Sequence, residues 1–331
     1  MDKKIPYSRL LAALIALTVC AACLGLRCGS AALTFSQVME GLFRKDPGSY
    51  LTNILWVVRL PHVAACFLAG IGLAVSGLLL QTAVDNPLAG PNIIGVNAGA
   101  GFAMVLWLCL FPHAYKLLPL LAFLGAFGCT MLIVLVAGKA GSSRVAIVLA
   151  GVAVSTLLSA GISFLKLRYP DLAVMYNYFS VGGVSGVRFS DLAVPGVIIL
   201  AVFVCACLLA GRMNLLCLGT SLAGSLGIRV KLLRTVCLLL ASAAAAAAVC
   251  FAGLLGFVGL MVPHMARSVC GSCDLRKLLP VSALLGACLV ILSDLAGRVA
   301  FAPSEIPAGI ITALLGAPFF FLLLMKRRNR L

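Results

Sequence analysis

Three histidines each follow a proline, at Pro61-His62, Pro112-His113 and Pro263-His264. Histidine can ligate a metal, carry a proton or anchor a helix at an interface, so each is a candidate for chemistry. The third lies in GFVGLMVPHMAR (Gly256–Arg267), an apolar run whose end carries Pro263, His264 and Arg267. Asp294 is a second candidate, because it stands inside another apolar run with Arg298 four residues on. That spacing is one helical turn and suits an ion pair. Intramembrane carboxylates often mark ion pathways, yet here the structural pair is the preferred reading. Cys270-Gly-Ser-Cys273 has the CxxC spacing, without a histidine or second pair beside it, which is a weak metal or redox signal. Other cysteines, Cys66, Cys129 and Cys237 among them, lie in apolar runs where a thiol acts as a small hydrophobe. No GxxxxGK[ST] phosphate loop is present, so the chain does not hydrolyse ATP by itself. No polar cluster suggests a catalytic site.

The elements that position these residues are membrane helices. Of 331 residues, 63% are hydrophobic and 10% charged, with a mean hydropathy of +1.17. Soluble domains carry about 25% charged residues. The apolar runs are long and lack the period-two alternation of barrel strands, which predicts an all-α polytopic membrane protein. Ten spans are expected, at 10–27, 59–82, 92–110, 117–137, 145–165, 191–211, 232–250, 253–268, 279–297 and 307–325. The first follows Lys3, Lys4 and Arg9 and contains Ala21-Ala22-Cys23, but reads as a retained span rather than a cleaved leader.

Lys and Arg total 25 against 9 Asp and Glu, a formal charge of +16. In this setting the excess reads as topology-setting loop charge rather than a nucleic-acid surface. With both termini inside, the inner segments carry Lys3, Lys4, Arg9, Lys139, Arg144, Arg212, Arg229, Lys231, Arg234, Arg267, Arg276, Lys277, Lys326, Arg327, Arg328 and Arg330, the majority. The expected topology is therefore N-in and C-in. His62 and His113 then face outward and His264 inward, so the three cannot share a metal.

Three segments between spans are long enough for structure of their own. Cys28–Val58 contains Thr34-Phe35-Ser36-Gln37, a capping pattern for a short surface helix. Leu167–Ser190 holds Tyr176-Asn177-Tyr178-Phe179 and the break Gly182-Gly183. Arg212–Lys231 carries Leu215, Leu218, Leu222 and Leu226 at helical spacing. This leucine stripe suits either a helix lying flat on the bilayer or a dock for a soluble partner. Gly95-x-x-x-Gly99 and Gly253, Gly256 and Gly259 are read as close-packing positions. The runs around Gly70–Gly77 and Gly253–Gly259 look alike, a faint sign of an internal repeat.

Several stretches together carry a resemblance: RLPHVAACFLAGIGLAVSGLLLQTAVDNPLAGPNIIGVNAGAGF (Arg59–Phe102), MNLLCLGTSLAGSLGI (Met213–Ile228), GFVGLMVPHMAR, LLPVSALLGACLVILSDLAGR (Leu278–Arg298) and EIPAGIITALLGAPFFFLLL (Glu305–Leu324). In this order they resemble the FecCD-type permeases, the membrane subunits of ABC importers for iron–siderophores, haem and cobalamin. The resemblance implies one ten-span, type II permease-like domain over residues 1–331 in the cell (inner) membrane. It implies a second permease subunit, with a homodimer expected, two cytoplasmic ATP-binding cassette subunits and an extracytoplasmic binding protein. No catalytic, cofactor or metal residue is expected in this chain, and ATP belongs to the partner ATPase. A ferric siderophore is the expected cargo, with cobalamin or haem as alternatives and an ion-coupled secondary transporter as a distant one.

The same resemblance assigns site residues. Leu215, Leu218, Gly219, Leu222, Ala223, Leu226 and Gly227 match the ATPase coupling loop, about 212–231. Thr220-Ser221 stands where the family usually has an acidic residue. Arg59 matches the first arginine of an RLPR motif, with His62 in place of the second. With Arg298 they are expected at the outer rim, meeting glutamates of the binding protein. Asn86, Pro87, Pro263, His264 and Arg267 are expected at the cytoplasmic gate.

Overall fold

The computed structural model describes residues 6–29, 33–43, 49–139, 144–300 and 304–328. Among them there is no strand. Lys3, Lys4 and Arg330 lie outside the described residues, as do the side chains of Arg144, Thr220, Ser221 and Lys326–Arg328.

The helices run in order: α1 Tyr7–Arg27, α2 Phe35–Phe43, α3 Tyr50–Asn53, α4 Leu60–Val84, α5 Val96–Leu110, α6 Leu118–Lys139 and α7 Arg144–Arg168. Then follow α8 Asp171–Val181, α9 Phe189–Leu216, α10 Thr220–Ser225, α11 Val230–Ala252, α12 Val258–Cys270, α13 Leu275–Ala300 and α14 Ala308–Arg328. A π-helical stretch, Ile54–Arg59, joins α3 to α4, giving one helix of 35 residues. Among the described residues seven helices are long and apolar enough to cross a membrane, and Val96–Leu110 and Ala308–Leu323 are shorter apolar helices.

Local signals set the ends. Thr34 Oγ1 accepts from the Gln37 N–H at 3.3 Å and Gln37 Oε1 from the Thr34 N–H at 2.9 Å, the reciprocal capping box at the start of α2. Asp85 ends α4 in the left-handed conformation, φ 50°, and Pro87 follows. The 92–110 run is divided: Pro91–Ile94 form a 3-10 turn, and Gly95, φ 72°, starts α5.

The run expected at 253–268 is the main departure. Gly253 leaves α11 at φ 64°, residues 253–257 are not helical, and α12 begins only at Val258. Its 13 residues span about 20 Å at 1.5 Å each, short of the roughly 30 Å hydrocarbon core. The three glycines of this segment do not share one packing face. Gly253 makes the break, Gly256 has open space where a Cβ would go, and Gly259 lies against α4.

α4 is the axis of the bundle, packed by α13, α11, α12, α9 and α1. The contacts are backbone to backbone. A Cβ on Gly70 would strike the Gly286 carbonyl of α13, and one on Gly77 would strike Gly259 of α12. α11 supplies a smooth face beside them, with Ala241 and Ala244–Ala248 fully buried. Small residues permit this approach in lipid, where packing rather than water expulsion holds helices together.

Gly77→Val is accordingly expected to lower thermal stability in detergent by at least about 1–3 kcal/mol. Gly128→Ala, where a Cβ meets nothing within 4 Å, should leave the melting temperature unchanged or slightly raised; equal effects of the two would contradict the packing argument.

Candidate functional site

α4 and α13 run antiparallel, and polar residues mark one end of the pair. His62 Nε2 lies 2.8 Å from Asp294 Oδ1, and Arg298 Nε donates to Asp294 Oδ2 at 2.8 Å. His62, Asp294 and Arg298 are 6%, 5% and 7% exposed. One carboxylate thus serves two donors on its two oxygens.

Arg59 and Arg298 have a further task. Arg59 Nη1 donates to the carbonyls of Leu26 at 2.6 Å and Arg27 at 2.9 Å. Arg298 Nη1 donates to the Cys28 carbonyl at 3.2 Å, and Nη2 reaches the Gly25 carbonyl at 3.5 Å. The last carbonyls of a helix have no partner within it, and cations suit its negative end. Two arginines from other helices therefore cap α1. Gly25 and Gly29 leave room for them, since both face the Arg298 guanidinium and Gly29 also faces that of Arg59.

From the resemblance, Arg59, His62 and Arg298 are expected at the outer rim. In the structure they sit in the wall and are engaged with the protein itself, with Arg59 only 4% exposed. They still line a depression shared with Gly29, Ser185 and Glu305. The expected Asp294–Arg298 pair is present. The partnership of Asp294 with His62, 232 positions away, had no sequence signal, because nothing local fixes which antiparallel helix shares its depth.

The other end of α4 carries a second polar set. Arg267 Nη1 donates to Gln81 Oε1 at 2.6 Å, and Gln81 Nε2 to the Leu260 carbonyl at 3.3 Å. Gln81 thereby ties α12 to α4, a role the sequence did not reveal. Asn86 Oδ1 accepts from the Leu88 N–H at 2.9 Å and shapes the turn beyond α4, where Pro87 is exposed. Pro263 is buried, and His264 meets Phe320 of α14 edge-on, ring centroids 6.3 Å apart. The five residues expected at a gate thus belong to one end of the bundle, spread over α12 and the α4 turn. A cavity of about 270 Å³, lined by Leu73, Pro91, Asn97, Phe257 and Leu260, adjoins the break before α12.

At the same end, α10 hangs between α9 and α11. Gly219 at φ 101° and Gly227 at φ 80° bracket it, conformations that favour glycine. Leu218, Leu222 and Leu226 are 54%, 57% and 59% exposed, Leu215 is half-buried and Ala223 fully buried. Ala223 therefore anchors the short helix and three leucines point away. Asn214, at the end of α9, donates Nδ2 to Asp274 Oδ1 at 2.6 Å and accepts from the Leu275 N–H at 2.9 Å. These bonds join the loop's entry to the start of α13. The Asn214 amide and the Arg276 N–H hold the Asp274 carboxyl below its usual range.

The sequence matches the model of the FecCD transport family over residues 16–326. It is 38% identical over 292 residues to the probable siderophore transport system permease protein YfhA of Bacillus subtilis, covering 85% of this chain and 84% of that one. It is 37% identical over 285 residues to the vitamin B12 import system permease protein BtuC of Vibrio cholerae, covering 84% of each. A solved structure described as an inward-facing conformation of a metal-chelate type ABC transporter superposes with a TM-score of 0.86 at 31% identity, over 96% of this chain and 99% of that one.

Asp294→Ala would leave Arg298 buried without its carboxylate. Breaking a buried pair costs about 3–5 kcal/mol, so a clear fall in melting temperature is expected, and an unchanged one would show that the cluster is not a structural pair.

Proposed function

The chain belongs to the FecCD transport family, and on that footing we propose that it is the permease subunit of an ABC importer that carries a ferric siderophore. The observation that carries this reading is the whole-chain likeness to a metal-chelate type transporter. The name of the Bacillus subtilis relative favours a siderophore, and that of the Vibrio cholerae relative keeps cobalamin as the alternative; haem is a third cargo of the same class. The protein is a multi-pass membrane protein, and its home in this reading is the cell inner membrane.

On this reading energy comes from outside the chain. Two ATP-binding cassette subunits sit against the cytoplasmic face, and the pathway lies between two copies of this permease. Leu222 of α10 and the flanking Leu218 and Leu226 insert into the ATPase. Their exposure in the single chain supports this, since apolar side chains at a bundle end want a partner or lipid. Movement of α10 passes through α9 and the Asn214–Asp274 contact to α13, and from α13 to α4. Gln81 and Arg267 hold the inner end of α4 against α12, and Asn86, Pro87, Pro263 and His264 shape the gate around it. An extracytoplasmic binding protein delivers cargo to the outer end. There Arg59, His62 and Arg298 are the groups that meet acidic residues of the binding protein, opposite charges speeding encounter.

Replacing Leu222 and Leu226 with Asp is expected to release the ATPase while the permease stays folded; retained co-purification would remove the docking role. The whole reading is tested by ATPase activity of the permease–ATPase complex in lipid with its binding protein. Stimulation by ferric siderophore, haem or cobalamin identifies the cargo. Liposome uptake that follows an ion gradient, with no ATPase co-purifying, would make the chain a secondary carrier instead.

A further inference from the structure

His62 and Cys66 are four residues apart on α4, so their side chains leave one helix face a turn apart. Asp294 reaches the same spot from α13. An imidazole nitrogen, the thiol sulfur and a carboxylate oxygen of the three lie within 4.8 Å of one another, and all three residues are buried. This donor set is the one zinc-class divalent cations take. Magnesium and calcium, which demand several oxygens, would be refused.

The surroundings suit a site with one open position. Zinc-class ions hold nitrogen and oxygen at about 2.0–2.2 Å and sulfur at about 2.3 Å, usually tetrahedrally. His62 Nε2 and Asp294 Oδ1 are 2.8 Å apart, so the ring and carboxylate need only separate by about half an ångström to admit an ion between them. Arg298 binds the other carboxylate oxygen and would keep it oriented, as outer-shell donors do at metal sites. The depression lined by Arg59, His62, Ser185 and Arg298 opens over His62. A water, or a donor atom arriving through that mouth, would complete the coordination.

We propose that His62, Cys66 and Asp294 bind a zinc-class divalent cation at the outer end of the α4–α13 pair. Binding replaces the His62–Asp294 hydrogen bond with two metal bonds: the neutral imidazole passes its Nε2 proton through water to Nδ1 and ligates through Nε2, and the Cys66 thiol proton is lost to water; no electron moves. The ion adds two positive charges and the thiolate one negative. The site therefore gains one unit beside Arg59 and Arg298, a repulsion that only an ion with strong thiolate bonding overcomes. The bound ion clamps two helices together where the mouth would change shape. It is distinct from the chelated cargo, and this proposal stands on its own geometry rather than on the transport reading.

The test uses the full-length chain, purified in detergent after chelator treatment and titrated with Co2+. A thiolate-to-Co2+ charge-transfer band in the near ultraviolet, saturating at one ion per chain, is expected. Zn2+ and Cd2+ should abolish it and Mg2+ should not. Cys66→Ala should eliminate the band with a near wild-type melting temperature, and His62→Gln should weaken Co2+ binding at least tenfold in protein that remains folded. Cys270→Ala/Cys273→Ala should leave it intact. A band that survives Cys66→Ala, a band lost with the Cys270/Cys273 pair, or no band in the folded wild type would each overturn the site. Because no ATPase or cargo enters the titration, neither result bears on the transporter reading, and failure of transport would not explain a missing band.

Discussion

Where Gly70 meets Gly286 and Gly77 meets Gly259, helices touch through their backbones. Lipid offers no hydrophobic reward for bringing two apolar helices together, so association rests on close packing and on internal polar contacts. α4 satisfies both demands. Its middle is small-residue packing, and its ends carry the polar ties, His62 with Asp294 toward one side and Gln81 with Arg267 toward the other. Without the glycine contacts the helices would stand further apart, and neither pair would close.

This arrangement explains which features a reader of the sequence finds. Apolar runs declare membrane helices by composition and length, and the resulting boundaries agree with most of the observed helices. The Thr34–Gln37 cap is equally plain, because its partners are three residues apart. Residues 253–257 were not legible. Leu254 and Leu255 are as apolar as a span requires, and the break lies in the backbone angles of Gly253 and Phe257, which hydropathy does not record. Nor did the charges announce their partners. That Arg59 and Arg298 also bond the carbonyls at the end of α1 is invisible until the fold places that end beside them.

The polar groups divide by depth and task. Those at the His62–Asp294 end are buried and mutually satisfied, which gives rigidity. At the opposite end Asn214, Asp274 and Gln81 link one helix end to another, while Leu222 of α10 and the flanking Leu218 and Leu226 stay uncovered. The two ends of the bundle thus differ, one closed by buried polar pairs and the other leaving apolar side chains uncovered.

The capping of α1 by two arginines has a mechanical consequence. One guanidinium comes from the lead-in to α4 and the other from the far end of α13, and they grip neighbouring carbonyls of the same last turn, Leu26 and Arg27 for one and Gly25 and Cys28 for the other. The end of α1 is therefore a yoke across the two helices. If α4 slides against α13, the yoke must tilt or let go of one arm, so a peripheral helix with little buried surface of its own becomes the indicator of relative motion at the centre of the bundle.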